Sequence, residues 1–172
     1  MDEIILVNTD DEEIGYGEKA YVHEKGLLHR AFSVFIVNSG KMLIQKRNAN
    51  KYHSGGLWTN ACCSHPRKGE ALTDAVHRRL REELGIDCEV EEVFEFMYRT
   101  VFADDLYEYE FDHVFLGDYE GPVELNEDEA SEIRWIGLQE LKEDLVRRPG
   151  RYTSWFLIAA HKVIKAAEEK NK

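Results

Sequence analysis

Cysteine and proline are scarce in this sequence, which holds three of each in 172 residues. Two of the cysteines, Cys62 and Cys63, are adjacent, a spacing that strains any bridge between them. The odd total also leaves one thiol unpaired, so the counts argue against the disulfide framework of a small secreted protein. We therefore expect reduced thiols and a cytoplasmic location.

Long apolar runs are also absent, and no stretch approaches the roughly 20 apolar residues that a membrane-spanning helix requires. The first residues, MDEIILVNTDDEEIG, carry acidic side chains where a signal peptide carries positive charge. The apolar run within them, IILV, is too short for the core of such a peptide. We expect no signal peptide and no membrane partner.

Positive charge is in short supply, with 22 basic against 34 acidic residues and a formal net charge of -12. This balance argues against binding nucleic acid or an anionic membrane through the overall field. A small anionic substrate is compatible with it if the fold builds a local basic pocket. The 43% hydrophobic content supports one core, and no repeat or linker interrupts the chain, so we expect a single domain over residues 1–172 and a monomer.

Hydrophobic periodicity predicts a mixture of strands and helices. From 71 to 84, apolar residues recur at helical spacing and Gly85 follows as a stop signal, so a helix is predicted there. The segment AFSVFIVNSGKMLIQKR is expected to form a hairpin around Ser39-Gly40. Further strands are predicted in EIILVN, CEVEEVFEFMYRTVF, LYEYEFDHVFLG and EIRWIG, with ADD between the two long ones, and further helices in LQELKEDLVRR and WFLIAAHKVIKAAEEK. This order predicts an α+β or α/β/α domain.

One predicted strand, LYEYEFDHVF, places three acids on a single face. Alternation directs Glu108, Glu110 and Asp112 to one side of the sheet. A solvated sheet face is the ordinary interpretation, because carboxylates are seldom buried without partners. The alternative is a face that lies over a cation, and the residues alone leave both open.

Three histidines could complete such a cation site: His23 and His29 in YVHEKGLLHRAF, and His65 in WTNACCSHP. Each alone is more typical of a structural or surface residue, and their spacing is not that of a compact zinc motif. Three imidazoles with two carboxylates would nevertheless suit zinc or manganese, which accept mixed nitrogen and oxygen ligands.

The predicted helix and its flanks resemble the Nudix signature. The matching positions are Glu70, Arg78, Leu80, Glu82, Glu83, Gly85 and Ile86. Two positions depart from it, because Ser64 replaces a glycine and Arg79 replaces a glutamate that binds magnesium in the hydrolases. The resemblance implies a Nudix-like α/β/α sandwich with a mixed central sheet, and the departures argue against pyrophosphate hydrolysis. Composition alone would explain the helix by ordinary i,i+4 ion pairs.

Three motifs together resemble one branch of that superfamily. LLHRAFSVFIVNSGKMLIQKR, GGLWTNACCSHPRKGE and YEYEFDHVF, in this order between Lys19 and Trp155, are similar to type 1 isopentenyl-diphosphate isomerases, which depend on metal and use no flavin. The resemblance implies that Cys63 and Glu110 are catalytic and that Cys62 is a packing residue. The implied cofactors are Mg²⁺, and Mn²⁺ or Zn²⁺ at a site of histidines and glutamates.

The resemblance also assigns the remaining site residues by position. The implied metal ligands are His23, His29, His65, Glu108 and Glu110, with Glu83 as the ligand of magnesium. The implied diphosphate contacts are Lys19, Arg47, Lys51 and Arg79, which would form the basic pocket. The implied aromatic residues at the reaction site are Tyr98 and Trp155, although core packing is the commoner role of such side chains.

The implied reaction moves a double bond between isopentenyl and dimethylallyl diphosphate. A proton is added to the terminal alkene carbon and another is removed from C2, with a tertiary carbocation between the two steps. Two opposed acid-base groups and a dry, electron-rich cavity are therefore required. The sequence leaves open whether Cys63 or Glu110 is the acid, and we expect a backbone turn to set the separation of Cys63 from His65.

Two other functions remain compatible with the residues. A Nudix pyrophosphohydrolase of a nucleotide derivative would need another acid, such as Glu82, in place of the one lost at Arg79. A non-catalytic, metal-stabilised binding module would tolerate the loss of Cys63. The flavin-using type 2 isomerase is disfavoured, because the chain is short and shows no barrel-like alternation of strands and helices.

Overall fold

The computed structural model describes residues 2–102 and 105–172, which form nine strands and four α-helices. The strands are β1 (Glu3–Val7), β2 (Glu13–Glu18), β3 (His29–Asn38), β4 (Lys41–Arg47), β5 (Trp58–Thr59), β6 (Cys62–Ser64), β7 (Val90–Phe102), β8 (Leu106–Asp118) and β9 (Ala130–Gly137). The helices are α1 (Lys19–Lys25), α2 (Leu72–Leu84), α3 (Leu138–Arg147) and α4 (Ser154–Lys170), and a 3-10 turn covers Pro149–Arg151.

Strand β3 is the centre of one mixed sheet. It pairs in parallel with β8, from His29 opposite Glu110 to Val37 opposite Asp118, and antiparallel with β4 and β6. The long β7–β8 hairpin extends the sheet on one side, and β5 and β9 pair with β4 on the other. The mixed central sheet expected from the sequence is therefore confirmed.

Helices cover both faces of this sheet, because the central strands direct apolar side chains to each face in alternation. On one face, Val34 and Ile36 of β3 pack with Leu80 of α2. On the other face, Phe35 stacks on Phe156 of α4, with ring centres 5.7 Å apart. Two apolar cores, one on each side of the sheet, confirm the predicted α/β/α sandwich.

The hairpin, helix α2 and both C-terminal helices lie where the sequence predicts them. Gly85 ends α2 with a φ of 62°, in the left-handed region that favours glycine. Strand β2 and helix α1 escape prediction, because β2 contains two glycines and α1 is only seven residues long. The predicted ADD connection falls on 103–105, of which 103 and 104 lie outside the described residues. None of the described helices combines the length and apolar composition needed to cross a bilayer.

A short strand replaces the turn expected between Cys63 and His65. Residues 62–64 pair with residues 32–34 of β3, so this segment is extended. Neighbours on an extended backbone face opposite sides, and Cys62 accordingly packs in the core beneath α2. The expected turn is wrong because β3 offers backbone hydrogen bonds from a distant part of the chain, which composition does not reveal.

Candidate active site

Three histidines and one glutamate meet at one end of the sheet. His23 lies on α1, His29 begins β3, His65 follows β6, and Glu110 lies on β8 opposite His29. One ligand atom from each lies within 4.8 Å of those of the others. The Nε2 atoms of His29 and His65 are 3.2 Å apart, and Nε2 of His65 is 3.3 Å from Oε1 of Glu110. The fold thus brings the three predicted histidines together around a predicted carboxylate.

Backbone contacts fix the orientation of two of these rings. Nδ1 of His23 lies 2.7 Å from the carbonyl oxygen of Lys19, and Nδ1 of His29 lies 2.9 Å from that of Leu27. A carbonyl oxygen only accepts hydrogen bonds, so each Nδ1 carries the proton and each Nε2 presents a lone pair. Nε2 of His23 is buried and has no partner in the described part of the chain. This orphaned nitrogen, beside two imidazoles and a carboxylate, fits the donor set of Zn²⁺ or Mn²⁺.

Burial favours the neutral form of His23 and His65, while hydrogen bonds favour the charged form of Glu110. Burial lowers the pKa of His65 to about 3 and also lowers the pKa of His23. Burial alone would raise the pKa of Glu110, but its hydrogen bonds with Glu108, His29 and His65 outweigh burial and hold that pKa well below its usual range. Neutral imidazoles and an ionised carboxylate are the forms in which these groups bind metal.

Glu108 lies beside this cluster of described residues but is not one of its four members. Its Oε2 is 3.6 Å from Nε2 of His53, and burial and the charge of Glu110 raise its pKa well above the usual range. Its role as a metal ligand stays a prediction. His53, which the sequence does not single out, stacks on Phe102 with ring centres 4.2 Å apart and turns its edge to Trp155. Its loop carries no periodicity or motif that could have marked it.

The Cys63 thiol lies between a hydrogen-bond donor and an acceptor. Nε1 of Trp155 donates to Sγ at 3.1 Å, and Sγ lies 3.1 Å from Oδ1 of Asn60. Asn60 donates its amide hydrogens to the backbone carbonyls of Val34 and Cys62, so its oxygen must face the thiol. Sγ therefore accepts from Trp155 and donates to Asn60.

Ser33 and Asp112 lie on a further side of the thiol. Oγ of Ser33 is 3.7 Å from Sγ of Cys63 and donates to Oδ2 of Asp112 at 2.7 Å. Asp112 is 1% exposed, and burial together with the charge of Glu110 raises its pKa well above the usual range. Burial and Asp112 likewise raise the pKa of Cys63, so the group is a neutral thiol at neutral pH. The sequence places Asp112 on the correct strand face but gives no sign of its contact with Ser33.

Cys63, Glu110 and Trp155 line one cleft. Glu108 and Asp112 line it as well, so the acidic face of β8 is the buried face and not a solvated one. Tyr98 is not among the described residues that line the cleft. It is buried on β7 opposite Glu110, and its place at the reaction site stays a prediction.

The four predicted diphosphate contacts line the same cleft: Lys19, Arg47, Lys51 and Arg79. The Arg47 guanidinium lies 5.3 Å from the ring centre of Trp155, and Nζ of Lys19 lies 5.3 Å from that of Tyr52. Burial and the charge of Lys51 lower the pKa of Lys19. Four cations therefore gather in one cleft of a chain whose net charge is -12.

Carboxylates already pair with two of these cations. Glu129 lies 2.5 Å from Nζ of Lys51 and 3.2 Å from Nη2 of Arg79. Arg79 also pairs with Glu82 at 2.7 Å and with Glu83 at 2.5 Å. Nothing in the sequence singles out Glu129, because its partners lie 78 and 50 positions away along the chain.

Glu83, the predicted magnesium ligand, is buried next to Arg79. Its Oε2 accepts a long hydrogen bond of 3.5 Å from Nε2 of Gln45. Burial raises the pKa of Glu83 despite the opposing charge of Arg79. Mg²⁺ is commonly held by one or two carboxylates together with substrate phosphates. The Glu83 carboxylate, beside cations that could hold phosphate, therefore fits the coordination of Mg²⁺.

Known proteins share both the family and the fold of this chain. A family model described as the NUDIX domain matches residues 27–156. The isopentenyl-diphosphate Delta-isomerase 2 of Aromatoleum aromaticum is 48% identical, over 95% of this chain and 87% of its own length. The protein of the same name from Photorhabdus laumondii is 51% identical, over 91% of this chain and 89% of its own length. The chain belongs to the type 1 isopentenyl-diphosphate isomerases of the NUDIX family.

Solved structures of other proteins share the fold of this NUDIX isomerase. A protein from Deinococcus radiodurans has a TM-score of 0.75 at 20% identity and covers 94% of this chain and 99% of its own. A MutT NUDIX hydrolase from Burkholderia pseudomallei has a TM-score of 0.63 at 23% identity and covers 79% of this chain and 98% of its own. At such identities the likeness shows the fold alone.

Proposed function

We propose that the chain interconverts isopentenyl and dimethylallyl diphosphate, in isoprenoid biosynthesis, through a tertiary carbocation. The observation that carries the proposal is one cleft lined by Cys63, Glu110 and a set of cations. A thiol and a carboxyl are the two acid-base groups that the double-bond shift requires, and the cations suit a diphosphate. The relatives named isopentenyl-diphosphate Delta-isomerase support the same reaction.

The diphosphate is expected to bind at the basic part of the cleft. Lys19, Arg47, Lys51 and Arg79 would hold its oxygens, and arginine forks suit two oxygens at once. Mg²⁺, held by Glu83 and the phosphate oxygens, would offset charge that otherwise resists burial beside acids. Binding energy from the unreactive diphosphate then holds the alkene between Cys63 and Glu110.

Proton transfer is the task of Cys63 and Glu110. One group adds a proton to the terminal carbon of isopentenyl diphosphate, and the other removes a proton from C2. One group therefore loses a proton and the other gains one, so each turnover exchanges their protonation states. The reverse reaction starts from the exchanged pair, which suits an interconversion in both directions.

Aromatic side chains line the part of the cleft where the cation would form. The indole of Trp155 reaches Sγ of Cys63 through its N–H, so its ring lies beside the reacting atoms. An aromatic face attracts a cation without reacting with it. Burial lowers the pKa of His53 to about 3, so this lining imidazole adds no positive charge that would repel the carbocation.

Metal binding is proposed at the cluster of imidazoles. His23, His29, His65 and Glu110 would hold Zn²⁺ or Mn²⁺, and Glu108 is a further predicted ligand. The bound ion would supply positive charge beside Glu110. The proposed chemistry uses no flavin.

We also propose that the protein acts as a monomer in the cytoplasm, on a small molecule and without a nucleic-acid or membrane partner. The net charge of -12 supports the absence of a polyanionic partner. The three cysteines are free, which supports a reducing compartment.

The proposed reaction is tested by incubating the protein with isopentenyl diphosphate, Mg²⁺ and Zn²⁺, and following both the alkene and free phosphate. We expect dimethylallyl diphosphate to form without release of phosphate. A NUDIX hydrolase would instead release phosphate or pyrophosphate from a nucleotide derivative, and a binding module would leave every substrate unchanged. Either of these results would overturn the proposal.

A further inference from the structure

Glu129 joins two of the cations that the proposed diphosphate site uses. Its Oε2 lies 2.5 Å from Nζ of Lys51, and its Oε1 lies 3.2 Å from Nη2 of Arg79. Its side chain is 25% exposed and lines the cleft. One carboxylate thus occupies the space between two cations that come from a loop and from helix α2.

The backbone holds Glu129 in this position independently of its side chain. The main-chain N of Asn48 donates to the carbonyl of Glu129 at 3.2 Å, and the carbonyl of Asn48 accepts from the main-chain N of Lys51 at 3.1 Å. The main-chain N of Asn126 donates to the carbonyl of Glu83 at 2.9 Å. The turn of Glu129 is therefore tied both to the loop of Lys51 and to the end of α2.

The charge of Glu129 opposes the binding of another anion. Burial would raise the pKa of this carboxyl, but Lys51 and Arg79 outweigh burial and lower it, so the group is ionised at neutral pH. An ionised carboxylate between two cations offsets the field that would attract phosphate oxygens. A diphosphate that bridged both cations would compete with this carboxylate for them.

We propose that Glu129 is an internal counter-ion, which fills the anion site between Lys51 and Arg79 and is displaced when a diphosphate binds. The inference rests on the proposed function, because both cations are proposed diphosphate contacts. Its consequence is a lower affinity for diphosphates and a faster release of them. Substrate and product carry the same diphosphate, so a site without this counter-ion would retain its product.

The proposal is tested with the variant Glu129→Gln, which keeps the size and the backbone contacts of the residue and removes its charge. Glu127→Gln is the matched control, since it removes the same charge from an exposed position in the same turn and forms no ion pair among the described residues. Inorganic pyrophosphate is titrated into the wild type and both variants by calorimetry in the presence of Mg²⁺. We expect Glu129→Gln to bind pyrophosphate about fivefold more tightly than the wild type. Glu127→Gln should match the wild type.

Equal affinities of the two variants, weaker binding by Glu129→Gln, or no binding by the wild type would each overturn the proposal. Glu129→Ala, used if Glu129→Gln fails to fold, should change the affinity in the same direction. Failure of the proposed isomerase activity would be distinguished from failure of the counter-ion proposal by the activity assay. In that case Glu129→Gln would still bind pyrophosphate more tightly, but isopentenyl diphosphate would not be converted.

Discussion

The two ends of the cleft hold their charges in different ways. Around Glu110, three imidazoles face the carboxylate, and no Lys or Arg forms an ion pair with it in the described ranges 2–102 and 105–172. Around Lys51 and Arg79, each cation already has a carboxylate partner at 2.5 Å. Among the described side chains, Glu110 therefore has no Lys or Arg as an ion-pair partner, whereas an anion at the second end competes with a carboxylate for both cations. We infer that the first end suits a resident ion and the second a ligand that binds and leaves.

The largest expected effect concerns the thiol that lies next to the first end. Cys63→Ala should lower kcat by about 10²–10⁴-fold, because proton transfer loses one of its two groups. The Cys63→Ala variant should keep the fold and the metal content of the wild type. Cys62→Ala is the matched control, since this neighbour packs beneath α2. It should keep its turnover and lose about 1 kcal/mol of stability. Turnover close to that of the wild type in Cys63→Ala would remove the thiol from the reaction.

Loss of the proposed metal ion should have the next largest effect. His29→Gln removes one Nε2 donor, so the protein should lose a bound ion together with the stability that the ion adds, about 2.7 kcal/mol when the metal is present at a hundred times its Kd. Metal content by emission spectroscopy and thermal unfolding in Zn²⁺ measure both quantities. His161→Gln, exposed on α4, is the control and should retain the ion. Equal metal content in the two variants would contradict the proposed site.

The second end is probed through two adjacent arginines. Arg79→Gln should raise KM by about 10- to 100-fold with a smaller change in kcat, because the diphosphate loses a charge-assisted contact. Arg78→Gln removes the same charge one position earlier, where the guanidinium pairs with Glu70 at 2.6 Å. It should leave KM unchanged. A similar rise of KM in both variants would show that the overall positive charge, and not a direct contact with Arg79, attracts the substrate.

The smallest expected effect is on stability and depends on pH. The hydrogen bond from Arg78 holds the pKa of Glu70 below its usual value, in a pair whose side chains are 17% and 18% exposed. A carboxyl with a depressed pKa stabilises the fold above its unfolded pKa, and this contribution is lost as the pH falls through the folded pKa. Glu70→Gln should therefore cost up to about 1 kcal/mol at neutral pH. Urea unfolding should show no such cost below the folded pKa, and a cost that is independent of pH would contradict the assignment.

The sequence predicts those elements whose apolar pattern is regular. Helix α2 follows from its helical spacing. Alternation places the three acids of β8 on one face but leaves open whether that face is solvated or buried, and the fold shows that it is buried. The predicted site residues follow from the resemblance to one family, which three motifs indicate and which assigns the remaining residues by position. The turn expected between Cys63 and His65 is wrong, since residues 62–64 gain their strand conformation from pairing with β3.

Contacts between distant positions explain what the sequence could not predict. Ser33 meets Asp112 across 79 positions, and Trp155 meets Asn60 across 95. In the sequence, nothing distinguishes Glu129 from the other acids of its loop. Only the fold shows that it lies between two cations. Residue type and local spacing contain no information on such pairs, so only the folded structure identifies them.

In the proposed reaction, Cys63 and Glu110 move protons on an alkene while the diphosphate stays intact. Incubation of isopentenyl diphosphate with the protein in heavy water, followed by NMR, tests it most directly. We expect deuterium in the newly formed methyl group of dimethylallyl diphosphate. Removal of metal by a chelator should abolish its incorporation, and Cys63→Ala should slow it by about 10²–10⁴-fold. Product without deuterium, or release of phosphate in place of isomerisation, would contradict it.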